Sequence, residues 1–357
     1  MYLEEKKNNN MQKSTKIFLL FLCISCVFFS CKKTTVTNLD NYYFVKIGSV
    51  ALPVRVCGNA NSQTAVIFVH GGPGSTAQNE RSYSYWKAIE TNYKVIYYDQ
   101  RGSGYTQGNV NTSDMTLEQF SEDLDNIIDF TKEIGKVNKV FLHGTNWGGA
   151  LASYYLLDTT HQKKVAGAIL ESPSYDMVHG SQLSIAWLMQ KADSIIALND
   201  PISQPFWLNC KNYYVAHPVL TKDDYKQHQI YLNQVKGITF NTANMTVQST
   251  SKPQTEINIL YENQAFAPSV LTYEGQSIFT HLDLTSRLNE IKTPVLLIWG
   301  AKDGLMPRIN LAQKMIDNIG SSDKKYEKIK YQVSASLPHL EEWQLFDIDA
   351  IQFYESH

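Results

Sequence analysis

Six short apolar runs recur along the chain: Thr64 to His70, Tyr93 to Asp99, Lys139 to Leu142, Val165 to Leu170, Pro294 to Trp299 and Ile329 to Val333. Runs of this kind, apolar at successive positions rather than alternating, belong to strands buried on both faces. Between them, Leu117, Phe120, Leu124, Ile127, Ile128, Thr131 and Ile134 repeat at helical spacing, and Gly135 supplies a stop. Gly148 to Leu157 predicts a second helix whose Ala and Leu positions face a sheet. Strand and helix in alternation predict an α/β architecture, a mostly parallel sheet with helices on both faces. Phe44 to Val56 alternates instead, which predicts an antiparallel hairpin at one edge.

The rhythm breaks between Ser174 and Thr280. Only Gly180, Gly237 and Gly275 of the 19 glycines fall there, together with Trp187, Trp207 and many tyrosines, and Leu183 to Ile196 has helical spacing. The pattern predicts a helical cap over 174–280 inserted into a core formed by 42–173 and 281–357. A chain of 357 residues, 43% hydrophobic and 18% charged, has the apolar content for such a core and excludes a disordered or collagen-like protein. A net charge of −2 carries no basic excess for nucleic acid.

One local bias hides in that average. Lys6, Lys7, Lys13 and Lys16 precede an apolar run from Ile17 to Phe29, followed by Ser30 and Cys31. The run is shorter than the roughly 20 residues that span a bilayer, and its flanks predict an export signal over 1–30. Its end resembles a bacterial lipoprotein signal, which implies lipidation of Cys31, with Cys26 as second candidate. Residues 31–41 then form a tether, and the chain is expected to be exported and held at a membrane on its periplasmic or cell-surface side. Loss of 1–30 removes four lysines and two glutamates and leaves a net charge of −4. Cys57 and Cys210 are the only cysteines of the body, which leaves a disulfide between them open and offers no metal-ligand spacing.

Four motifs follow predicted strands, where an open α/β sheet binds its ligands. They are His70-Gly71-Gly72-Pro73-Gly74, Asp99-Gln100-Arg101-Gly102-Ser103-Gly104, Gly144-Thr145-Asn146-Trp147-Gly148-Gly149 and Trp299-Gly300-Ala301-Lys302-Asp303-Gly304. The first suits backbone N–H groups turned toward an oxyanion, and the third has the strand–turn–helix context of a nucleophile elbow. Together they resemble the α/β-hydrolase fold, and more narrowly the prolyl aminopeptidase (proline iminopeptidase) family, over roughly Tyr42 to Phe353. The likeness is strong in the core and weak in the cap.

The resemblance implies a Ser-His-Asp site, and here the chain departs from the pattern. Asn146 stands at the nucleophile position, where an amide cannot form an acyl-enzyme. Asp303 fits the acid. In Ala335-Ser336-Leu337-Pro338-His339-Leu340-Glu341, Ser336 falls on the base position. Losing either nucleophile or base alone costs roughly 10⁶ in turnover in a serine-protease triad. The expectation is therefore a hydrolase-fold protein that binds a small molecule or short peptide without cleaving it, with no cofactor. Gly71, Gly72 and Trp147 would form the oxyanion site. Two rivals stand beside it. One is an active peptidase or esterase with His339 as alternative base, Thr145 as displaced nucleophile or His143 as a further base. The other is a scaffold for a protein partner.

Overall fold

The computed structural model describes residues 38–78, 80–235, 270–327 and 330–357. The predicted export signal, Cys31, most of the tether and part of the cap lie outside these residues. Among the described residues no helix is long and apolar enough to cross a membrane.

The core is a nine-stranded sheet. Its strands are β1 (Asn38–Ile47), β2 (Val50–Asn59), β3 (Thr64–Val69), β4 (Lys94–Tyr98), β5 (Gln107–Gly108), β6 (Lys139–Thr145) and β7 (Gly167–Glu171). After the cap hairpin of β8 (Thr272–Tyr273) and β9 (Gln276–Ser277), β10 (Val295–Ile298) and β11 (Lys324–Tyr326) complete it. The order is β1-β2-β4-β3-β6-β7-β10-β11, with β5 paired to β2. β1, β2 and β4 pair antiparallel, and from β4 onward neighbours run parallel. The edge hairpin and the parallel interior are both as the pattern predicts.

Helices α1 (Ser84–Asn92), α2 (Leu117–Gly135), α3 (Trp147–Tyr155), α4 (Met177–Ile196), α5 (Gln204–Ala216), α6 (Tyr225–Gln234), α7 (Arg308–Asn318) and α8 (Trp343–Ser356) cover the sheet or build the cap. Strand residues sort by parity, as a pleat requires. Ile67, Ile96, Leu142, Leu170 and Leu297 pack with Leu124, Leu151 and Met315 on the α2/α3/α7 face. Phe68, Tyr97, Phe141, Ile169 and Ile298 pack with Trp86, Phe346 and Phe353 on the α1/α8 face. α2 starts on Thr116, whose side chain accepts the Gln119 N–H, and ends at Gly135 before Lys136 turns left-handed.

The cap begins where the rhythm breaks. α4, α5 and α6 enclose their own core of Leu188, Trp207, Cys210, Tyr214 and Leu232. A bridge between Asp176 and Asp283 holds the two stems of the insertion side by side.

Two expectations need correction, and the open question of a disulfide is answered. Residues 38–41, expected in the tether, pair in β1, where Asp40 binds Arg55 and Arg81. Among the described residues the last strand is Lys324–Tyr326, and residues 330–333 of the expected run are not strand. It is an edge strand of only three residues and its two lysines hide it from a search for apolar runs, whereas Val333 is an exposed loop residue. Cys57 and Cys210 are both free, one in the sheet core and the other in the cap core.

Gly300 shows how the fold shapes the site. A Cβ there would lie 1.8 Å from the Ala335 carbonyl oxygen, because the segment leading to Ser336 crosses directly over the end of β10. Lys302 N–H donates to the Ser334 carbonyl at 2.9 Å and fixes the crossing. Gly300→Ala is expected to lower stability by about 3 kcal/mol or more, read from the urea midpoint, because two backbones must separate.

Candidate functional site

The elbow is built as its motif requires. Asn146 sits between β6 and α3 at φ 47° and ψ −112°, a conformation that non-glycine residues rarely adopt. Gly148 permits the turn, since a Cβ there would meet the Val69 carbonyl oxygen at 1.9 Å. Asn146 N–H donates to the Glu171 carbonyl at 2.9 Å, and its own carbonyl accepts from Ala150 and Ser174. The side chain is thus presented at the sheet edge in the pose of a nucleophile, yet carries an amide.

The two most specific motifs brace this elbow. His70 Nε2 accepts the Gln100 N–H at 3.1 Å, and Gln100 Nε2 donates to the His70 carbonyl at 2.8 Å. Gln100 Oε1 in turn accepts from Trp147 Nε1 at 2.8 Å. Gln100 therefore ties the glycine loop to the first residue of α3. Asp99 accepts from the N–H groups of Ala77 and Tyr105, both at 2.8 Å. Burial still holds its carboxyl up at about 6. Arg101 forms a buried two-bond pair with Asp123, both bonds at 2.6 Å. Gly72 and Trp147 line one pocket, whereas Gly71 lies behind it against Thr145 and Asn146.

The structure brings Asn146, Ser336 and Asp303 into one neighbourhood. Asn146 Nδ2 donates to the Ser336 carbonyl at 3.3 Å and approaches the Ser172 carbonyl at 3.5 Å. Asp303 is buried, and its Oδ1 accepts the Leu305 and Met306 N–H groups at 2.9 and 3.0 Å. Burial pushes the Asp303 carboxyl up to about 7, against the pull of the Met306 and Leu305 N–H groups and of the Ser172 hydroxyl beside it.

His339 does not fill that gap. It is fully buried among Phe68, Tyr85, Trp86 and Phe346 on the α1/α8 face, with Nδ1 2.7 Å from Glu171 Oε2 and Nε2 3.3 Å from Glu80 Oε2. Burial alone would strip its proton, but the Glu171 charge outweighs burial and holds its pKa up at about 9. The alternative base is corrected on this ground: among the described residues its ring nitrogens face carboxylates other than Asp303. His143 is likewise buried, between Tyr85 Oη and Glu171. Thr145 is buried at the end of β6. Glu171 and Glu80 were not candidates. A charge closing the apolar strand GAILE was the one signal for Glu171, and nothing along the chain connects it to residues 28 and 168 positions away.

The pocket lies between core and cap. Gly72, Pro73 and Trp147 form one side and Met177, Leu220, Tyr225, His228, Ile278 and Phe279 the other, around a narrow cavity of about 20 Å³. Ser174 and Ser181 add hydroxyls. Burial pushes His228 down to about 4, so it is neutral, bonded to Tyr214 and Ser184.

A family model described as serine aminopeptidase, S33, matches residues 60–332. A proline iminopeptidase of Lactobacillus acidophilus is 25% identical over 284 residues, 76% of this chain and 84% of that one. A probable aminopeptidase of Bacillus subtilis is 24% identical over 320 residues, 85% and 92% of the respective chains. Among solved structures, a proline iminopeptidase of Mycobacterium smegmatis aligns with a TM-score of 0.57 at 19% identity, covering 89% of this chain and 98% of that one.

The burial of Asp303 has a measurable consequence. Its carboxyl ionises near 3.8 when exposed and near 7 when folded, so the native state holds an extra proton in that window and loses stability as pH rises through it. Asp303→Asn keeps the acceptor for Leu305 and Met306 but cannot ionise. Urea denaturation is expected to show near-equal stability at about pH 4 and an advantage for the variant of a few kcal/mol at about pH 8.

Proposed function

Because the chain belongs to the serine aminopeptidase S33 family and has the α/β-hydrolase fold, we propose that it is a member that has kept the pocket and lost the acyl transfer. What supports this reading is the elbow: Asn146 is held at positive φ between strand and helix, its amide donates to the Ser336 carbonyl, and the resemblance puts Ser336 and Asp303 at the base and acid positions. Asn has no ionisable hydroxyl, and Ser336 is no base at neutral pH.

The ligand is a small, largely apolar molecule with a neutral carbonyl. None of the described side chains lining the pocket carries a charge at neutral pH, so a carboxylate would enter without a partner. Apolar walls with a few placed polar groups are the usual composition of such sites. The Gly72 and Trp147 N–H groups at the start of α3 and the Asn146 amide would orient the carbonyl. The curated relatives named above are peptidases by name, which favours an amide or short peptide as the carbonyl compound.

The basic segment, apolar run and Cys31 support export and lipid anchoring, with the pocket domain held at a membrane by a short tether. Labelled fatty acid should be incorporated when the chain is expressed in a bacterium that processes lipoproteins, and Cys31→Ser should abolish it. Label retained in that variant and lost in Cys26→Ser would move the site.

For the chemistry, the purified chain should neither react with a fluorophosphonate probe nor hydrolyse aminoacyl-arylamides or aryl esters. The double variant Asn146→Ser, Ser336→His should gain both properties, with turnover at least about 100-fold above the wild type. Wild-type turnover that survives replacement of Asn146 and Asp303 would overturn the site. Wild-type turnover lost in His339→Ala would revive the active-hydrolase reading.

A further inference from the structure

Outside the pocket, on the α1/α8 face of the sheet, three fully buried side chains with metal-binding atoms converge. They are His143 from β6, Glu171 from the end of β7 and His339 from the turn Pro338–Glu341, and one ligand atom of each lies within 4.8 Å of the others. His339 Nδ1 is 2.7 Å and His143 Nε2 is 3.3 Å from the same oxygen, Glu171 Oε2. Oε1 of Glu171 is already used, accepting the His339 backbone N–H at 2.8 Å.

Each imidazole also has a partner for its outward nitrogen. His143 Nδ1 lies 3.2 Å from Tyr85 Oη, and His339 Nε2 lies 3.3 Å from Glu80 Oε2. With the outward nitrogens engaged, the inward nitrogens of both imidazoles converge on one carboxylate oxygen, a contact that a proton on His339 holds and that a cation bonded to all three donors would replace.

We propose that His143 Nε2, His339 Nδ1 and Glu171 Oε2 bind one divalent transition-metal ion, with zinc the best fit. Two imidazoles and a carboxylate form a donor set of borderline softness that suits zinc. Bonds of about 2.0–2.1 Å to a tetrahedral ion separate its donors by about 3.3 Å, within the range spanned by the spacings here. A carboxylate behind a liganding histidine, as Glu80 stands behind His339, is a recurring arrangement in the outer shell of metal sites. Glu171 and Glu80 together balance a double positive charge inside walls formed by Phe68, Trp86 and Phe346. The ion joins β6, β7 and the 338–341 turn, so it is structural: it locks the strand that leads into Asn146 to the segment that carries Ser336. The proposal does not depend on what the pocket binds.

The closed site is loaded through folding. The full chain is unfolded in chelator, refolded with zinc or cobalt(II), desalted and assayed for metal by mass spectrometry. One retained ion per chain, a raised thermal midpoint and the visible absorption of four-coordinate cobalt(II) are expected. Glu171→Gln and His143→Gln should lose the ion. Glu80→Gln should weaken it by about 10–100-fold, and His161→Gln, outside the cluster, should leave it unchanged. If the ligand variants do not fold, the wild-type metal ratio and cobalt spectrum decide alone. Metal content well below one ion per chain, an octahedral cobalt spectrum, or full binding in Glu171→Gln would overturn the proposal and leave a proton as the element that joins the three side chains.

Discussion

The turn from β6 into α3 is the constraint on which the rest of the site depends. A non-glycine residue held at positive φ costs about 1–3 kcal/mol, and it persists only where its surroundings over-determine it. Here they do. Gly148 lets α3 start against the end of β3, the Glu171 carbonyl fixes the Asn146 N–H, and Ser174 and Ala150 occupy its carbonyl. The Gln100 amide then locks the glycine loop to Trp147. The elbow is thus a backbone device, and it survives whichever side chain stands at its apex.

That separation between backbone and side chain lets the frame of the fold persist whatever side chains stand in it. Position 146 keeps its pose, the oxyanion loop keeps its glycines, and the acid keeps its two N–H donors at Leu305 and Met306. On the proposed reading what differs is the set of side chains that must exchange a proton: Ser336 stands where an imidazole is expected, and the Ser172 hydroxyl is the side chain that meets the Asp303 carboxyl. Burial raises the pKa of that carboxyl, where an acting acid would be held ionised by its histidine. The pocket has apolar walls and a neutral His228.

On the other face of the sheet the electrostatics are of a different kind. Glu171 is fully buried, and burial would raise its pKa if His339 and His143 did not hold it down at about 2. A buried carboxylate must be matched by a proton or an ion. Its partners arrive from β6, from a turn near the C-terminus and, through Glu80, from the loop after β3. This cluster fastens together the same segments that the elbow and the Ser336 crossing require to be in register.

The sequence by itself determined the layered α/β core, the edge hairpin, the inserted cap and the apex residue of the elbow. Those features rest on local periodicity and on motifs whose residues are neighbours in the chain. The two positions where the resemblance expects other triad side chains, 146 and 336, were also legible, because both lie in contiguous motifs. Only the tertiary structure decided the rest. Residues 38–41 are strand rather than tether because Asp40 finds Arg55 and Arg81 across the hairpin. The last strand is Lys-Lys-Tyr because an edge strand needs few apolar residues. Cys57 and Cys210 stay apart because each is buried in a different core. His339 leaves the catalytic neighbourhood because Glu171, 168 positions earlier, holds it on the opposite face of the sheet. A buried charge selects its partner by distance in space, and a linear sequence does not contain that distance.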